Sequence, residues 1–269
     1  MSRTISEPGL TGPALRDAIS WTTDPYANAL RKERGPLFLR RTDGWLLPLD
    51  IERWCADADA TDLSALRRCE GPVLDIGCGP GRLVAALTAR GHRALGIDVS
   101  EAAVARTLRL GGSALHRSVF EPLPGEGRWG TVLLIDGNVG IGGDPHHLLH
   151  RTAALVAPGG LLIAETAPQD IDERSEVRLD DGRTAHSGTA SAPQFSWARL
   201  GTPALLRYAQ PLGWHPVDQW ESDGRPFVSL RRSRVILTTS QSPDTVNSAA
   251  VTSSQFPRNT SGDSPLAGS

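Results

Sequence analysis

The sequence predicts an α/β protein of three layers, a mostly parallel sheet with helices on both faces, and two observations carry that prediction. From about residue 71, short apolar runs alternate with helix-like stretches: PVLDI leads into RLVAALTAR, RALGID into SEAAVARTLRL, TVLLID into PHHLLHRTAALV, and LLIAE follows the turn APGG. The runs are apolar throughout, as strands covered on both faces must be. Strands that alternate with helices in this way form a parallel sheet with crossover helices. The 269 residues suffice for one sizeable core with a small appendage, not for two full domains.

Residues 1–70 carry Trp21, Tyr26, Phe38, Trp45 and Trp54 among turn residues and short helical patterns. They are expected to form a cap packed on the sheet, with most of these rings serving as core. The core proper is expected over 71–237. Leu83, Val84 and Leu87 share a helix face that Gly91 terminates, with Arg82 at the start on the solvated side. Ser100 offers an N-cap and Glu101 a first-turn acid. Ala114 and Leu115 give a weaker strand signal, and Asp144 before Pro145 reads as a helix cap. Between Thr166 and Gln194 the chain turns polar, with Asp181 and Gly182 as a hairpin turn, and a connection of that length suggests a lid at about 166–194. Thr202 and Pro203 read as the N-cap and first turn of a helix. WHPVDQWES and RPFVSLRR, separated by Asp223 and Gly224, then form a terminal hairpin. Residues 238–269 are mostly Ser, Thr, Pro, Asn and Gly, with Phe256 the only aromatic, which predicts a disordered tail.

Charge and cysteine usage narrow the function. With 28 Lys plus Arg against 30 Asp plus Glu, no strong field is available to hold nucleic acid or an anionic membrane. Three cysteines, Cys55, Cys69 and Cys78, make no CxxC pair, which argues against a disulfide framework and a structural zinc site and fits a reducing cytoplasm. MSRTISEPGL lacks the apolar segment of a leader, and no run approaches the ~18 residues that span a bilayer.

The chemistry concentrates in VLDIGCGPGR, residues 73–82. A glycine-rich turn between strand and helix lets the backbone approach a ligand closely. A dinucleotide site of the form GxGxxG would put its third glycine at position 82, where Arg82 stands; the glycines here are Gly77, Gly79 and Gly81. Asp75 would face a diphosphate unfavourably, whereas S-adenosylmethionine brings a sulfonium and an ammonium. Asp98 lies 21 residues after Gly77, close to the ~20 expected of an acid that binds ribose hydroxyls. It supports an adenosine site for either ligand.

VLDIGCGPG, GIDVS, VFEPLP, WGTVLLIDGN and LVAPGGLLIAE, in this order and at these separations, resemble the class I S-adenosylmethionine-dependent methyltransferases. The resemblance covers residues 71–165 well and 203–232 in outline. It implies a Rossmann-like seven-stranded sheet in the order 3-2-1-4-5-7-6 with strand 7 antiparallel. It further implies that Asp75 helps hold the methionine ammonium, through a water or a backbone amide. The turn of Gly77, Cys78, Gly79 and Gly81 makes room for methionine and ribose, Asp98 followed by Val99 takes the ribose diol, and Val119 and Phe120 flank adenine. Ser118 stands where many members have an acid. Ile135 and Asp136 end the fourth strand on the methionine and acceptor side. The NPPY-type tetrapeptide of many amino-methylating nucleic-acid enzymes is replaced by IDGN.

Methyl transfer needs positioning above all, and a base only where the acceptor must lose a proton. Asp136, Asn138 and His147 are the candidates for that side of the reaction. His146, His147 and His150 invite a metal reading, but adjacent histidines on a helix point about 100° apart and no HExxH acid accompanies them, so no metal is expected. Cys78 could be a reactive thiol or simply a small residue that fits, and Trp197 could stack an aromatic acceptor or pack in the core. The expected activity is transfer of a methyl group from S-adenosylmethionine to an oxygen or nitrogen of a small organic acceptor, in the cytoplasm. Its rivals are a non-catalytic S-adenosylmethionine-binding module and an NAD-dependent oxidoreductase. Oligomeric state is not written in the sequence.

Overall fold

The computed structural model describes residues 24–182 and 193–234, so Trp21 and the tail from residue 238 fall outside the described residues. The chain begins with α1 (Asp24–Lys32), β1 (Phe38–Arg41), β2 (Leu46–Pro48), α2 (Ile51–Cys55) and α3 (Ala60–Leu66). The alternating part comes next as β3 (Val73–Ile76), α4 (Arg82–Ala89), β4 (Ala94–Asp98), α5 (Glu101–Arg109), β5 (Ala114–His116), β6 (Trp129–Leu134), α6 (Pro145–Leu155) and β7 (Val156–Glu165). Then come β8 (Asp172–Asp180), β9 (Phe195–Leu200), α7 (Thr202–Ala209), β10 (Trp214–Ser222) and β11 (Arg225–Arg232).

The main sheet has seven strands in the order β10-β11-β7-β6-β3-β4-β5, with β3, β4, β5, β6 and β7 parallel and β11 antiparallel to both β7 and β10. This is the expected order 3-2-1-4-5-7-6, and strand 7 is β11. The last hairpin turns on Asp223 and Gly224, both at positive φ (52° and 70°), the backbone of a two-residue turn whose twist suits the flanking strands.

Period-two alternation sorts the apolar runs between two helical layers. Val73, Leu133, Ile163 and Phe227 pack with Ala65 and Leu66 of α3 and Leu83 and Leu87 of α4. Leu74, Val132, Leu134, Leu162 and Leu230 face the other way, with Leu148 and Leu149 of α6 and Leu205 of α7. Both faces are covered, which is why the strands read as continuous apolar runs.

The polar stretch expected as a lid contains two strands. β8 pairs with β9, and β8 also pairs with β1, so the stretch and the N-terminal region share a four-stranded antiparallel sheet, β2-β1-β8-β9. Asp181 and Gly182 open the β8–β9 connection and do not close it alone; residues 183–192 lie outside the described residues. The small sheet has its own core, in which Leu39, Val177, Leu179 and Phe195 meet Tyr26, Leu30 and Ile51.

Two local expectations are corrected. Gly201, not Thr202, is the N-cap of α7, because the Thr202 hydroxyl is taken up at 2.8 Å by that of Thr166. Arg82 is buried at 5% exposure instead of solvated, because two carboxylates remote in sequence converge on it. No helix among the described residues is long and apolar enough to cross a membrane.

Candidate active site

The site forms at the C-terminal ends of β3, β4 and β6, where open α/β sheets bind ligands. Gly77, Gly79 and Gly81 all take positive φ (69°, 54° and 94°), a backbone that only glycine adopts freely. A Cβ on Gly77 would stand 2.7 Å from Asn138 Nδ2, and one on Gly81 would stand 2.7 Å from Thr107 Cβ. The turn is tied down by amides: Gly77 and Cys78 donate to Ile97 O at 2.9 and 3.0 Å, and Gly79 donates to Asp98 Oδ2 at 2.9 Å. Ser100 N donates to Asp98 Oδ1 at 2.8 Å. Each Asp98 oxygen therefore keeps a lone pair for a ligand. Burial outweighs these bonds and raises the Asp98 pKa.

Asp75 is 2% exposed and its Oδ2 has no hydrogen-bond partner. Burial pushes its carboxyl up to about 7 against the opposing pull of the Arg82 guanidinium. The cradle that a Cβ on Gly77 would fill, with the Asp98 carboxylate beside it on the cavity wall, suits a group bearing a ribose, and Asp75 lies buried beneath it. The donor set thus fits S-adenosylmethionine.

A network of three acids and three arginines lies beside the turn. Arg82 grips Asp62 with two bonds, 2.7 and 3.0 Å, and reaches Asp136 Oδ2 at 2.7 Å. Arg53 Nη2 donates to Asp136 Oδ1 at 2.7 Å, and Arg225 joins Asp136, Asp62 and Glu165 at 3.3, 3.1 and 2.8 Å. Asp136 itself has φ 59°, and its amide donates to Glu165 Oε2 at 2.8 Å. Burial alone would raise the Asp136 pKa, but the Arg82, Arg53 and Arg225 guanidiniums outweigh it and hold the carboxyl below its usual range. Asn138 opens a 3-10 turn, Asn138–Gly140, and its side chain donates to Ile76 O and Gly77 O at 2.8 and 3.0 Å.

The glycine turn, Asp98, Arg82, Asp136 and Asn138 border one cavity with an empty volume of about 830 Å³, part of it open to solvent. Gly77, Cys78, Gly79, Asp98, Val99, Val119, Phe120, Asp136 and Asn138 all reach its wall. Asp75, Gly81, Ile135 and His147 do not: Ile135 is buried in the main core, and His147 stacks behind Phe120 with centroids 4.6 Å apart. Asp144 caps α6 through the amides of His146 and His147. Cys78 is buried against Gly96, where a Cβ would stand 2.7 Å from its own, and burial raises its thiol pKa, so the protonated form is favoured. Sequence reasoning misses Tyr26 and Trp54 as cavity residues and Arg53, Arg82 and Arg225 as partners of Asp136. Each arrives from an element remote in sequence, and no local pattern announces it.

A family model described as a methyltransferase domain matches residues 50–201, more than half of the chain, and the chain belongs to this family of S-adenosylmethionine-dependent methyltransferases. Its fold is similar to that of a SAM-dependent methyltransferase from Bacteroides fragilis solved in complex with S-adenosyl-L-homocysteine. The TM-score is 0.62 at 16% identity, over 82% of this chain and 97% of that one. The 1,6-didemethyltoxoflavin-N1-methyltransferase of Burkholderia thailandensis, solved with 1,6-didemethyltoxoflavin and S-adenosylhomocysteine, gives 0.53 at 18% identity, over 85% of this chain and 93% of that one. No curated protein matches the chain. The oxidoreductase and non-catalytic readings give way to the family.

Proposed function

We propose that the protein methylates an oxygen or nitrogen atom of a small organic acceptor with S-adenosylmethionine as donor. The observation that carries this reading is the cavity that joins the glycine turn and Asp98 to walls drawn from the N-terminal region and the β8–β9 hairpin. A molecule enclosed by such walls is small. We expect the enzyme to work in the cytoplasm, its three cysteines being free thiols.

S-adenosylmethionine, when bound, supplies an electrophilic methyl group on a sulfonium. Asp98 would accept from the ribose hydroxyls, the Gly77–Gly79 backbone would make room for the chain, and Val119 and Phe120 would flank adenine. Asp75, buried beneath the glycine turn and off the cavity wall, would favour positive charge in the cavity across that turn and not by direct contact. Asp136, saturated by guanidiniums, would hold the acceptor-side wall in place rather than take a proton. Asn138 would lock that wall to the glycine turn, and His147 would support the Phe120 ring from behind. Catalysis on this reading rests on orientation, which is worth as much as ~7–11 kcal/mol of a barrier.

The test is calorimetric titration of S-adenosylmethionine into the protein and its Asp98→Ala variant, followed by labelled methyl transfer in a cell lysate. Binding to the parent, a loss of on the order of tenfold or more in the variant, and label in the small-molecule fraction support the proposal. Label found only in protein or RNA would refute the small acceptor.

A further inference from the structure

One polar side chain on the cavity wall has no part in the reactions described above, and its role rests on the methyltransferase reading. Tyr26, in the first turn of α1, is 3% exposed and borders the cavity, as do Phe195 and Trp197 of β9. A Cβ on Gly79 would stand 3.5 Å from the Tyr26 hydroxyl oxygen, so that oxygen lies over the middle glycine of the turn, whose amide is bound to Asp98. The helix that follows Asp98 fixes the tyrosine there. Ala103 of α5 shares a buried cluster with Tyr26, Ala29 and Leu30, and Arg106 of α5 pairs with Glu33 at 2.5 Å and donates to Cys55 O at 3.0 Å.

This place corresponds to one part of the donor. Asp98 is assigned to the ribose and the backbone at Gly77 to the methionine chain, and Gly79 stands between them, two residues from the one and hydrogen-bonded to the other. The atom that joins ribose to methionine chain in S-adenosylmethionine is the sulfonium sulfur. An oxygen over Gly79 therefore lies where the positive charge passes.

The chemistry of the oxygen suits that charge. Burial, and after it the charge of Asp98, raises the Tyr26 pKa well above its usual value, so the phenol keeps its proton and its oxygen stays neutral with lone pairs. Of the two arginines on the wall, Arg82 is neutralised by Asp62 and Asp136 at 2.7 Å each. Arg117 is exposed, with its Nη1 on Pro122 O at 3.2 Å, and its charge is screened by solvent. A sulfonium strengthens the adjoining C–H groups as donors and attracts the oxygen dipole. Methyl transfer breaks the methyl carbon–sulfur bond and leaves the electron pair on sulfur, so the product is a neutral thioether with no charge for that oxygen to meet.

We propose that the Tyr26 hydroxyl oxygen faces the donor's sulfonium and makes the site favour the charged donor over its neutral product. The N-terminal region thereby takes part in holding and releasing the donor as well as in walling the acceptor side.

S-adenosylmethionine and S-adenosylhomocysteine are titrated by calorimetry into the full chain and into Tyr26→Phe, which keeps the ring and removes the oxygen. The variant should bind S-adenosylmethionine about two- to tenfold more weakly and S-adenosylhomocysteine unchanged. Sinefungin, which carries an ammonium where the donor has its sulfonium, should fall with the donor. Equal losses for donor and product, or no loss for either, would overturn the proposal. A second measurement needs no substitution at this position. The chain has two tyrosines, Tyr26 and Tyr208. With fluorotyrosine in both, and Tyr208 assigned through Tyr208→Phe, the fluorine NMR signal of Tyr26 should take different positions in the donor and product complexes while that of Tyr208 keeps one. A single position for Tyr26 in both complexes would also overturn the proposal. A parent chain that binds neither ligand would be a different result, bringing down the methyltransferase reading and the proposal with it.

Discussion

A carboxyl placed in a strand covered on both faces loses its water, and Asp75 carries that cost in its proton affinity. Its folded pKa of about 7 lies well above the ~3.9 of an unfolded chain. Between those two values the folded protein holds a proton that the unfolded chain has released, so stability falls as pH rises from about 4 to about 7 and levels off above. Asp75→Asn should flatten that slope, measured by chemical denaturation across this range; a slope unchanged in the variant would mean that other groups produce it. Gly81 sets a second residue-scale expectation. Its φ of 94° and the 2.7 Å approach of a Cβ to Thr107 Cβ combine backbone strain with overpacking, so Gly81→Ala should cost about 2–4 kcal/mol by thermal or chemical denaturation.

Among the elements, α2, α3, α4, β6, β7 and β11 are fastened at one point by the arginine–carboxylate network. Asp62 is hydrogen-bonded by Arg82 and Arg225, and these partners outweigh the burial that would raise its pKa, holding it low. Its contribution is therefore present above the unfolded pKa of ~3.9 and is lost as pH falls through the lower folded value. Arg82→Met would take the shortest ion-pair partner from Asp62 and one of the two shortest from Asp136, leaving Arg225 to both and Arg53 to Asp136, and the expected loss is about 3 kcal/mol with a rise in the Asp136 pKa, checked by denaturation and by carboxyl NMR shifts. A variant as stable as the parent would show that the network adds nothing net. This is also the scale at which the sequence stops being legible. The glycine turn, Asp98, the parallel strands and the final hairpin are readable because their signals are local: spacing, run length and a two-residue turn. Arg82 reads wrongly because its position on α4 says nothing of Asp62 or Asp136, which approach from other elements. DERSEVRLD of β8 reads as part of a polar connection because most of one strand face is charged, and only Val177 and Leu179 mark the side packed on the N-terminal segment.

For the whole molecule, the two sheets divide the labour of the cavity, the large one carrying the glycine turn and the small one the aromatic wall. Filling the donor half alone should slow amide exchange chiefly in the glycine turn and around Asp98. Adding an acceptor should extend protection to β1, β8 and β9, as read by hydrogen–deuterium exchange. Protection confined to the large sheet in both cases would mean that the small sheet takes no part in binding. The pairing of β1 with β8 also bears on how the chain is made. Phe38 finds its partner in Asp180, a residue that leaves the ribosome on the order of ten seconds later at ~5–20 residues per second. Until then one edge of β1 has no neighbour to bond, so the acceptor wall comes into being well after the donor's turn, and a nascent chain halted before β8 would carry that turn without the hairpin that walls the chamber.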